Sequence, residues 1–368
     1  MTEFHALQFL SLVAISLLAW VLPQRWQMDS VSVVTMMLLG WFSPYSLLLL
    51  CISSFLVYYG THYGRNQARV VTLLVTYCGV QFFIFRVLQT YVDGIWKNLS
   101  LLGLAYYTCR HIHYVMDSFV GRIQADARTF WHYQFFWPVL IAGPIHRYNH
   151  FKRQCQRRRW DTSDTSIALD RIVIGYVKVV IFGNYLVAKK STEFLSWLPD
   201  MGWLNIWLSS ATDWAYLYLQ FAGWSDIAIG FSLIMGIRIE ENFNKPFLAT
   251  NLIEFWQRWH MTLSAWCKDY VFTPVLAVTR KPFVAVVSAM VVMGLWHEVS
   301  LYYLLWGVYH ASGIACCRLF QNWNTAQDIR ALQGGCWKFM SWLLTVGFIV
   351  GGAPVIAEVE AFLVGGIS

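Results

Sequence analysis

Long apolar blocks separated by short polar loops make up most of this 368-residue chain. The blocks lie near 4–22, 30–59, 68–91, 96–119, 130–146, 167–196, 203–237, 282–297, 299–320 and 336–365. A helix needs about 20 apolar residues to cross the hydrocarbon core of a bilayer. The pattern therefore predicts an all-α polytopic membrane protein of roughly ten or eleven spans. Because no internal repeat or composition break is visible, we expect residues 1–368 to form a single domain.

The block at 30–59 is too long for one straight span. It contains Gly40 and Pro44, and proline cannot donate the backbone hydrogen bond that a helix interior requires. The block is therefore predicted to form two shorter segments. The first block, 4–22, lacks the basic flank of a secretory signal peptide, so we expect it to be a retained span.

Composition supports a membrane environment. Hydrophobic residues make up 57% of the chain, charged residues 13%, and the mean hydropathy is +0.47. A soluble domain carries about 25% charged residues. The eight cysteines are scattered and show no metal-ligand spacing, so we expect buried thiols, no disulfide framework and no metal site.

The net charge of +7 raises the question of nucleic-acid binding. The positive residues instead lie in short loops between apolar blocks, the strongest cluster being 147–159. Lysine and arginine accumulate in the cytoplasmic loops of membrane proteins. The pattern therefore predicts a cytoplasmic 147–159 loop and no nucleic-acid partner.

The stretch 240–278 is too polar to span a membrane. Within it, Leu252, Phe255, Trp256 and Trp259 recur at helical spacing, with polar residues between them. This spacing predicts an amphipathic helix that lies at the interface or re-enters the membrane.

His297 ends the apolar run 291–297, and a second apolar run begins two residues later. An ionisable side chain at membrane depth is costly and is usually functional. The alternative is a histidine that forms a hydrogen bond between helices. Position alone leaves both readings open.

Other polar residues are weaker candidates for a site. His310 is a second intramembrane histidine, and Asp226 is a carboxylate that needs a partner inside a span. His260 and Arg258 lie in the amphipathic stretch and could line an entrance or anchor it at the interface. Glu298 follows His297 directly, but neighbouring helix positions point about 100° apart, so a direct pair is not expected. Structural roles remain open for all of them.

Six short motifs together resemble the membrane-bound O-acyltransferase family, in its bacterial branch of alginate O-acetylation and teichoic-acid D-alanylation proteins. They are found in order within Leu140–Ile145, Phe221–Gly230, Glu241–Phe247, Glu254–Ser264, Lys268–Val271 and Gly294–His297. The resemblance covers about residues 106–311, and the first hundred residues match by hydropathy alone. One departure is Glu298, which replaces the glycine that usually follows the histidine.

The resemblance implies a fold with re-entrant helices around a central funnel, with His297 and His260 as catalytic residues. The residues it places along the substrate and donor tunnel are Trp296, Glu298, Arg258, Trp256, Asp226, Asn242 and His310. It implies no bound cofactor and an acyl-thioester co-substrate, either acetyl-CoA or an acyl carrier protein, on the cytoplasmic side.

The same resemblance implies a multi-pass protein of the bacterial cytoplasmic (inner) membrane, in contact with lipid. It further implies an extracytoplasmic hydroxyl acceptor and a periplasmic or extracellular partner acyltransferase. Acetyl is the favoured acyl group and D-alanyl the second; an exported polysaccharide is the favoured acceptor. A transporter or flippase of a cell-envelope precursor is the alternative, because intramembrane histidine and aspartate also mark transport paths.

Overall fold

The computed structural model describes residues 2–64, 66–92, 101–199, 201–327 and 334–365. Within these ranges the regular structure is helical, without strands, which confirms the all-α prediction. The chain forms two compact units: Met1–Tyr176 with Trp224–Glu240, and Val177–Gly223 with Glu241–Ser368.

The first unit is built from helices that follow one another closely. They are α1 (Thr2–Val21), α2 (Gln24–Phe42), α3 (Pro44–Gly64), α4 (Ala68–Tyr91), α5 (Leu104–Phe119), α6 (Ala127–Gln134), α7 (Tyr148–Arg157) and α8 (Thr162–Tyr176). Consecutive helices from α1 to α5 pack against each other, and α3 also contacts α5. Packing between helices that are neighbours along the chain is usual in helical bundles.

The predicted break in the 30–59 block is confirmed. Helix α2 ends at Phe42, Ser43 is extended with φ −157°, and α3 begins at Pro44. Proline suits the first helical position, because its missing N–H would have no partner there. The Ser43 hydroxyl pairs with the Ser46 hydroxyl at 2.7 Å, which fixes the turn between the two helices.

The apolar block 130–146, counted above among the spans, does not form one helix. Helix α6 ends at Gln134, a 3-10 turn covers Trp137–Val139, and irregular backbone follows to Arg147. Pro138 lacks a backbone donor and Gly143 has φ +126°, a conformation that favours glycine. A Cβ on Gly143 would lie 2.9 Å from the Ala228 Cβ, so close packing also requires glycine there.

The second unit contains shorter elements before its long helices. They are a π-helical segment (Val177–Ser191), α9 (Thr192–Trp197), the part of α10 (Trp203–Ile234) that precedes Trp224, a 3-10 turn (Pro246–Leu248), α11 (Leu252–Arg258), α12 (Met261–Cys267), a π-helical turn (Lys268–Phe272), α13 (Thr273–Thr279), α14 (Pro282–His297), α15 (Leu301–Gln327) and α16 (Gly335–Gly365). Helices α14 and α15 form the most extensive contact between elements.

Four of the described helices are long and apolar enough to cross a membrane: α3, α4, α10 and Gly335–Val364 of α16. Phe9–Val21 and Pro282–His297 are shorter apolar helices. On α4 only 17% of the apolar window is buried, which leaves a large apolar surface that suits contact with lipid. These helices confirm the membrane character of the chain, while the number of roughly ten or eleven spans remains a prediction.

A histidine–carboxylate pair in the first unit gives a pH-dependent prediction. The His150 Nδ1 lies 2.8 Å from Glu240 Oε1, and this hydrogen bond raises the pKa of His150 above its ordinary value of 6.5. The pair therefore stabilises the folded state fully below about pH 6.5, and the effect is lost as pH rises through the raised pKa.

We expect Glu240→Gln to lower the free energy of unfolding by up to ~1 kcal/mol near pH 5.5 and to have little effect near pH 9. Thermal unfolding of the detergent-solubilised protein at both pH values measures this. In the Glu240→Gln background, the further substitution His150→Gln should not lower the free energy of unfolding any more. An equal effect of Glu240→Gln at both pH values would contradict the pairing.

Candidate active site

The helix predicted in the polar stretch is present as α11, which ends at Arg258, one residue before Trp259, and its place at the interface or within the membrane stays a prediction. Its first turn is capped by Asn251, whose Oδ1 accepts a hydrogen bond from the Glu254 amide at 2.9 Å, while Glu254 Oε2 accepts one from the Thr250 amide at 2.8 Å. The first bond satisfies a backbone donor that the helix start leaves open, and the second holds the residue before the cap against the first turn. Its buried face carries Leu252, Phe255 and Trp256.

His260 joins α11 to α12 in a left-handed backbone conformation, with φ +41°. A non-glycine residue adopts this conformation only where its surroundings enforce it. Here a neighbouring segment does so: Asn244 N donates to Arg258 O at 2.9 Å, and Met261 N donates to Asn242 O at 2.8 Å. The segment 242–244 therefore fixes the backbone on both sides of His260.

The His260 ring is 1% exposed. Its Nδ1 lies 2.9 Å from Asn242 Oδ1, and its Nε2 is buried without a hydrogen-bond partner. The Phe221 ring lies 4.6 Å from the imidazole, edge-on. Burial, and then the charge of His297, hold the pKa of His260 well below its usual value, so the ring is neutral at pH 7.

His297 is the last residue of α14 and is half-buried. Its ring centroid lies 5.6 Å from that of Tyr303 and 5.8 Å from that of Trp306. The Trp296 ring lies 5.0 Å from His297 and 5.6 Å from His260, so it contacts both imidazoles. Part of the His297 surface remains accessible, as a group that meets a substrate requires.

Two glycines allow α14 and α15 to approach closely enough to position His297. A Cβ on Gly294 would lie 2.2 Å from the Tyr303 carbonyl oxygen. A Cβ on Gly307 would lie 2.7 Å from the Met290 carbonyl oxygen. Small residues at such contacts are typical of packed membrane helices. The position of His297 therefore depends on backbone contact, which any larger residue at 294 would disrupt.

His310 and Trp256 supply further buried polar atoms. Both ring nitrogens of His310 and the Nε1 of Trp256 are buried without hydrogen-bond partners. The His310 ring lies 4.5 Å from Trp306 and 5.1 Å from Trp256. Buried polar groups in folded proteins are nearly always paired, so these atoms are available to water or to polar groups of a ligand.

The structure brings together most of the residues predicted for the site. We call His260, Trp296, His297, Trp306 and His310 the imidazole cluster, because ring contacts join its members. Trp256 adjoins the cluster through Trp306, and Asn242 adjoins it through His260.

Three predicted site residues have other surroundings. Arg258 donates to Glu254 Oε1 at 2.6 Å, one turn away on α11. Glu298 caps α14 in extended conformation and is half-buried. Asp226 belongs to the first unit, where it is 8% exposed and accepts a hydrogen bond from Arg171 Nε at 2.9 Å. The predicted partner for this buried carboxylate is therefore present, while tunnel roles for the three residues remain predictions.

Sequence reasoning missed Tyr303, Trp306 and Thr262. Tyr303, Trp306 and His310 are spaced by three and four residues, the signature of one helix face, so the contact of His310 with Trp306 was available from the pattern. The Thr262 hydroxyl lies 2.9 Å from Asn242 Oδ1, and no local pattern indicates this bond, because Asn242 is distant in sequence.

The cluster offers imidazole nitrogens for proton transfer and aromatic surfaces that exclude water. Among the described residues, no group of three or more histidine, cysteine, aspartate or glutamate side chains is arranged to hold a metal ion. Neutral histidine is suited to general base catalysis near pH 7.

Sequence comparison finds relatives that are named as acyltransferases. The chain is 28% identical over 306 residues to a probable alginate O-acetylase of Azotobacter vinelandii, covering 82% of this chain and 57% of that protein. It is 30% identical over 280 residues to the teichoic acid D-alanyltransferase of Bacillus subtilis, covering 67% and 69%. It is 27% identical over 223 residues to the peptidoglycan O-acetyltransferase of Helicobacter pylori, covering 58% and 41%.

The chain spans about half the length of the alginate relatives that it matches. The family model described as MBOAT, membrane-bound O-acyltransferase family, matches residues 27–350 and so includes the whole imidazole cluster. The family predicted from six short motifs is thereby confirmed, and the chain belongs to the membrane-bound O-acyltransferase family.

Proposed function

We propose that this protein transfers an acyl group from a thioester donor to a hydroxyl of a cell-envelope polymer, with His297 as the general base. The observation that carries the proposal is a half-buried imidazole at a helix end, in contact with the rings of Trp296 and Trp306. The names of the relatives as acetyl and D-alanyl transferases support the reaction class.

The proposed reaction needs one base and no change of oxidation state. An alcohol oxygen is a poor nucleophile until its proton is removed. His297 accepts that proton as the oxygen attacks the thioester carbonyl carbon. The new C–O bond forms, the C–S bond breaks, and the thiolate leaves. Because a thiol has a pKa near 8.5, the thiolate needs little acid assistance, and it recovers the proton from protonated His297.

The proposed acyl group is acetyl, with D-alanyl second, and the acceptor is an extracytoplasmic polysaccharide or other envelope polymer. The donor is acetyl-CoA or an acyl carrier protein on the cytoplasmic side of the bacterial inner membrane. The transfer to the polymer is direct or passes through a periplasmic or extracellular partner. In this proposal the two reactants reach His297 from opposite ends of a central funnel through the membrane.

The transfer itself is tested with purified full-length protein in lipid nanodiscs. We expect labelled acetyl-CoA to give a labelled, alkali-labile ester on a polysaccharide acceptor such as alginate, and labelled D-alanyl thioester to be the second donor tested. Protein that forms no ester with any thioester, but moves a lipid-linked precursor across the bilayer, would contradict the proposal and favour a transporter.

The sidedness of the donor depends on the basic stretch 147–159, which we expect to face the cytoplasm. Gln156 is exposed at the end of α7, so a cysteine introduced there can react with a thiol reagent. We expect an impermeant maleimide added to intact cells to leave Gln156→Cys unlabelled and to label it after lysis. The unsubstituted chain controls for Cys316 and Cys336, which are exposed, so the expectation of buried thiols was wrong for these two residues. Labelling of Gln156→Cys in intact cells beyond that background would place the loop outside.

A further inference from the structure

The orientation of the Asn242 amide is fixed by an atom that can only donate. The Thr262 backbone N lies 3.4 Å from Asn242 Oδ1, and the Thr262 hydroxyl lies 2.9 Å from the same atom. A backbone N–H cannot accept a hydrogen bond. The atom that faces it is therefore the amide oxygen. Asn242 itself is 1% exposed, so water does not compete for this oxygen.

This orientation decides which nitrogen of His260 carries the proton. The same Asn242 Oδ1 lies 2.9 Å from His260 Nδ1. Because the amide oxygen accepts, Nδ1 must carry the hydrogen. A neutral imidazole has one N–H, so Nε2 holds a lone pair. That nitrogen is buried and has no partner within the protein.

A lone pair at His260 Nε2 selects the groups that can bind there. A thioester carbonyl or a phosphate oxygen presents its own lone pairs and cannot pair with it. A hydroxyl or an N–H group can donate to it, and of these an alcohol acceptor offers hydroxyls. In the proposed reaction His297 takes the proton of the reacting hydroxyl, and a hydroxyl has one hydrogen. An acceptor hydroxyl that meets His260 is therefore a second one.

We infer that Asn242 is a positioning residue that fixes His260 as a hydrogen-bond acceptor, and that His260 binds a hydroxyl next to the reacting one. The substrate class is then a polyol with neighbouring hydroxyls, such as a sugar ring of a polysaccharide. The inference rests on the proposed function. It assigns His260 to the alcohol acceptor and excludes it from polarising the acyl donor.

Two alcohols that differ by one hydroxyl test the inference: trans-1,2-cyclohexanediol and cyclohexanol, each with acetyl-CoA and the full-length protein in nanodiscs. We expect the wild-type protein to prefer the diol by about tenfold in kcat/KM, the usual effect of one buried hydrogen bond. Asn242→Ala should abolish that preference and raise the KM for the diol, while the KM for acetyl-CoA changes little.

Matched variants separate positioning from general damage to the fold. Asn242→Asp keeps an acceptor oxygen at the same position and should retain the preference for the diol. Thr262→Val removes a hydroxyl bonded to the same Asn242 oxygen, leaves His260 Nδ1 its partner and should also retain the preference.

The pH profile gives a readout that a purely structural role would not move. In Asn242→Asp the new carboxylate favours protonated His260, so its pKa rises and Nε2 loses its lone pair at a higher pH than in the wild type. The titratable group that lowers the pKa of His260 is His297, on α14. The other neighbours carry no charge: Phe221 lies on α10, Asn242 in the segment 242–244, and Thr262 on α12. The preference for the diol should therefore disappear at a higher pH in this variant.

The other possible outcomes separate failure of the inference from failure of the proposed function. Equal wild-type rates with the two alcohols would overturn the inference, as would an Asn242→Ala defect confined to the KM for acetyl-CoA, or a pH profile unchanged in Asn242→Asp. Transfer to neither alcohol, and to no polysaccharide, by the wild-type protein would instead remove direct transfer by this chain, which is the part of the proposed function on which the inference rests.

Discussion

His297→Ala is expected to reduce acyl transfer by about 10²–10⁴-fold, the usual contribution of a general base. The substitution removes the nitrogen that takes the proton of the acceptor hydroxyl. Stability should change little, because the half-buried ring ends a helix rather than filling the core. Initial rates of labelled acetyl transfer, at matched amounts of membrane-inserted protein, measure the effect.

His62→Ala is the matched control for this prediction. His62 is an exposed histidine on α3, and its ring contacts Tyr58 and Tyr63 and lies in the first unit, which does not contain the imidazole cluster. We expect it to retain wild-type rates. Normal transfer by His297→Ala, with the protein folded and inserted, would contradict the catalytic assignment.

Gly294→Ala is expected to be the most damaging single-methyl change near the site. The added Cβ would lie 2.2 Å from the Tyr303 carbonyl oxygen, and this backbone atom cannot move without shifting α15. Overpacking of this kind costs about 1–3 kcal/mol. Displacement of a catalytic group by about 1 Å can cost about 10²-fold in rate, so activity should fall as well as thermal stability.

Gly79→Ala provides the matched control, since Gly79 lies within α4 and a Cβ there would meet nothing within 4 Å. Alanine favours a helix over glycine by about 1 kcal/mol, so this variant should be as stable as the wild type or more so. Equal melting temperatures and equal rates for Gly294→Ala and the wild type would show that α14 and α15 are not held by this contact.

Hydropathy predicted the helices that lie within single apolar blocks, because the composition of one segment alone indicates whether it avoids water. The break at Pro44 was predictable for the same reason, since proline acts on its own helix. The prediction of a span at 130–146 was wrong, because the average hydropathy of the block takes no account of Pro138 and Gly143, which prevent a continuous helix. The count of spans therefore needs more than apolar length.

The motifs named candidate residues for the site, but they did not predict how these residues are arranged in space. His260 and His297 are 37 positions apart in the chain, and their shared contact with Trp296 results from the packing of α14 near α12. Likewise, the backbone of His260 is set by Asn242 and Asn244, nearly twenty residues earlier. No local propensity predicts a left-handed histidine, because tertiary contacts enforce it.

We propose that both reactants meet at the His297 imidazole. The decisive measurement is an experimental structure of the wild-type protein with a non-hydrolysable acetyl-CoA analogue, in which a methylene replaces the thioester sulfur. We expect the analogue carbonyl carbon to lie beside His297, close enough for a hydroxyl held at about 3–3.5 Å from the ring to attack it. Density for the analogue away from His297, with the ring closed off by Trp296, Tyr303 and Trp306, would show that the reaction does not take place at this residue.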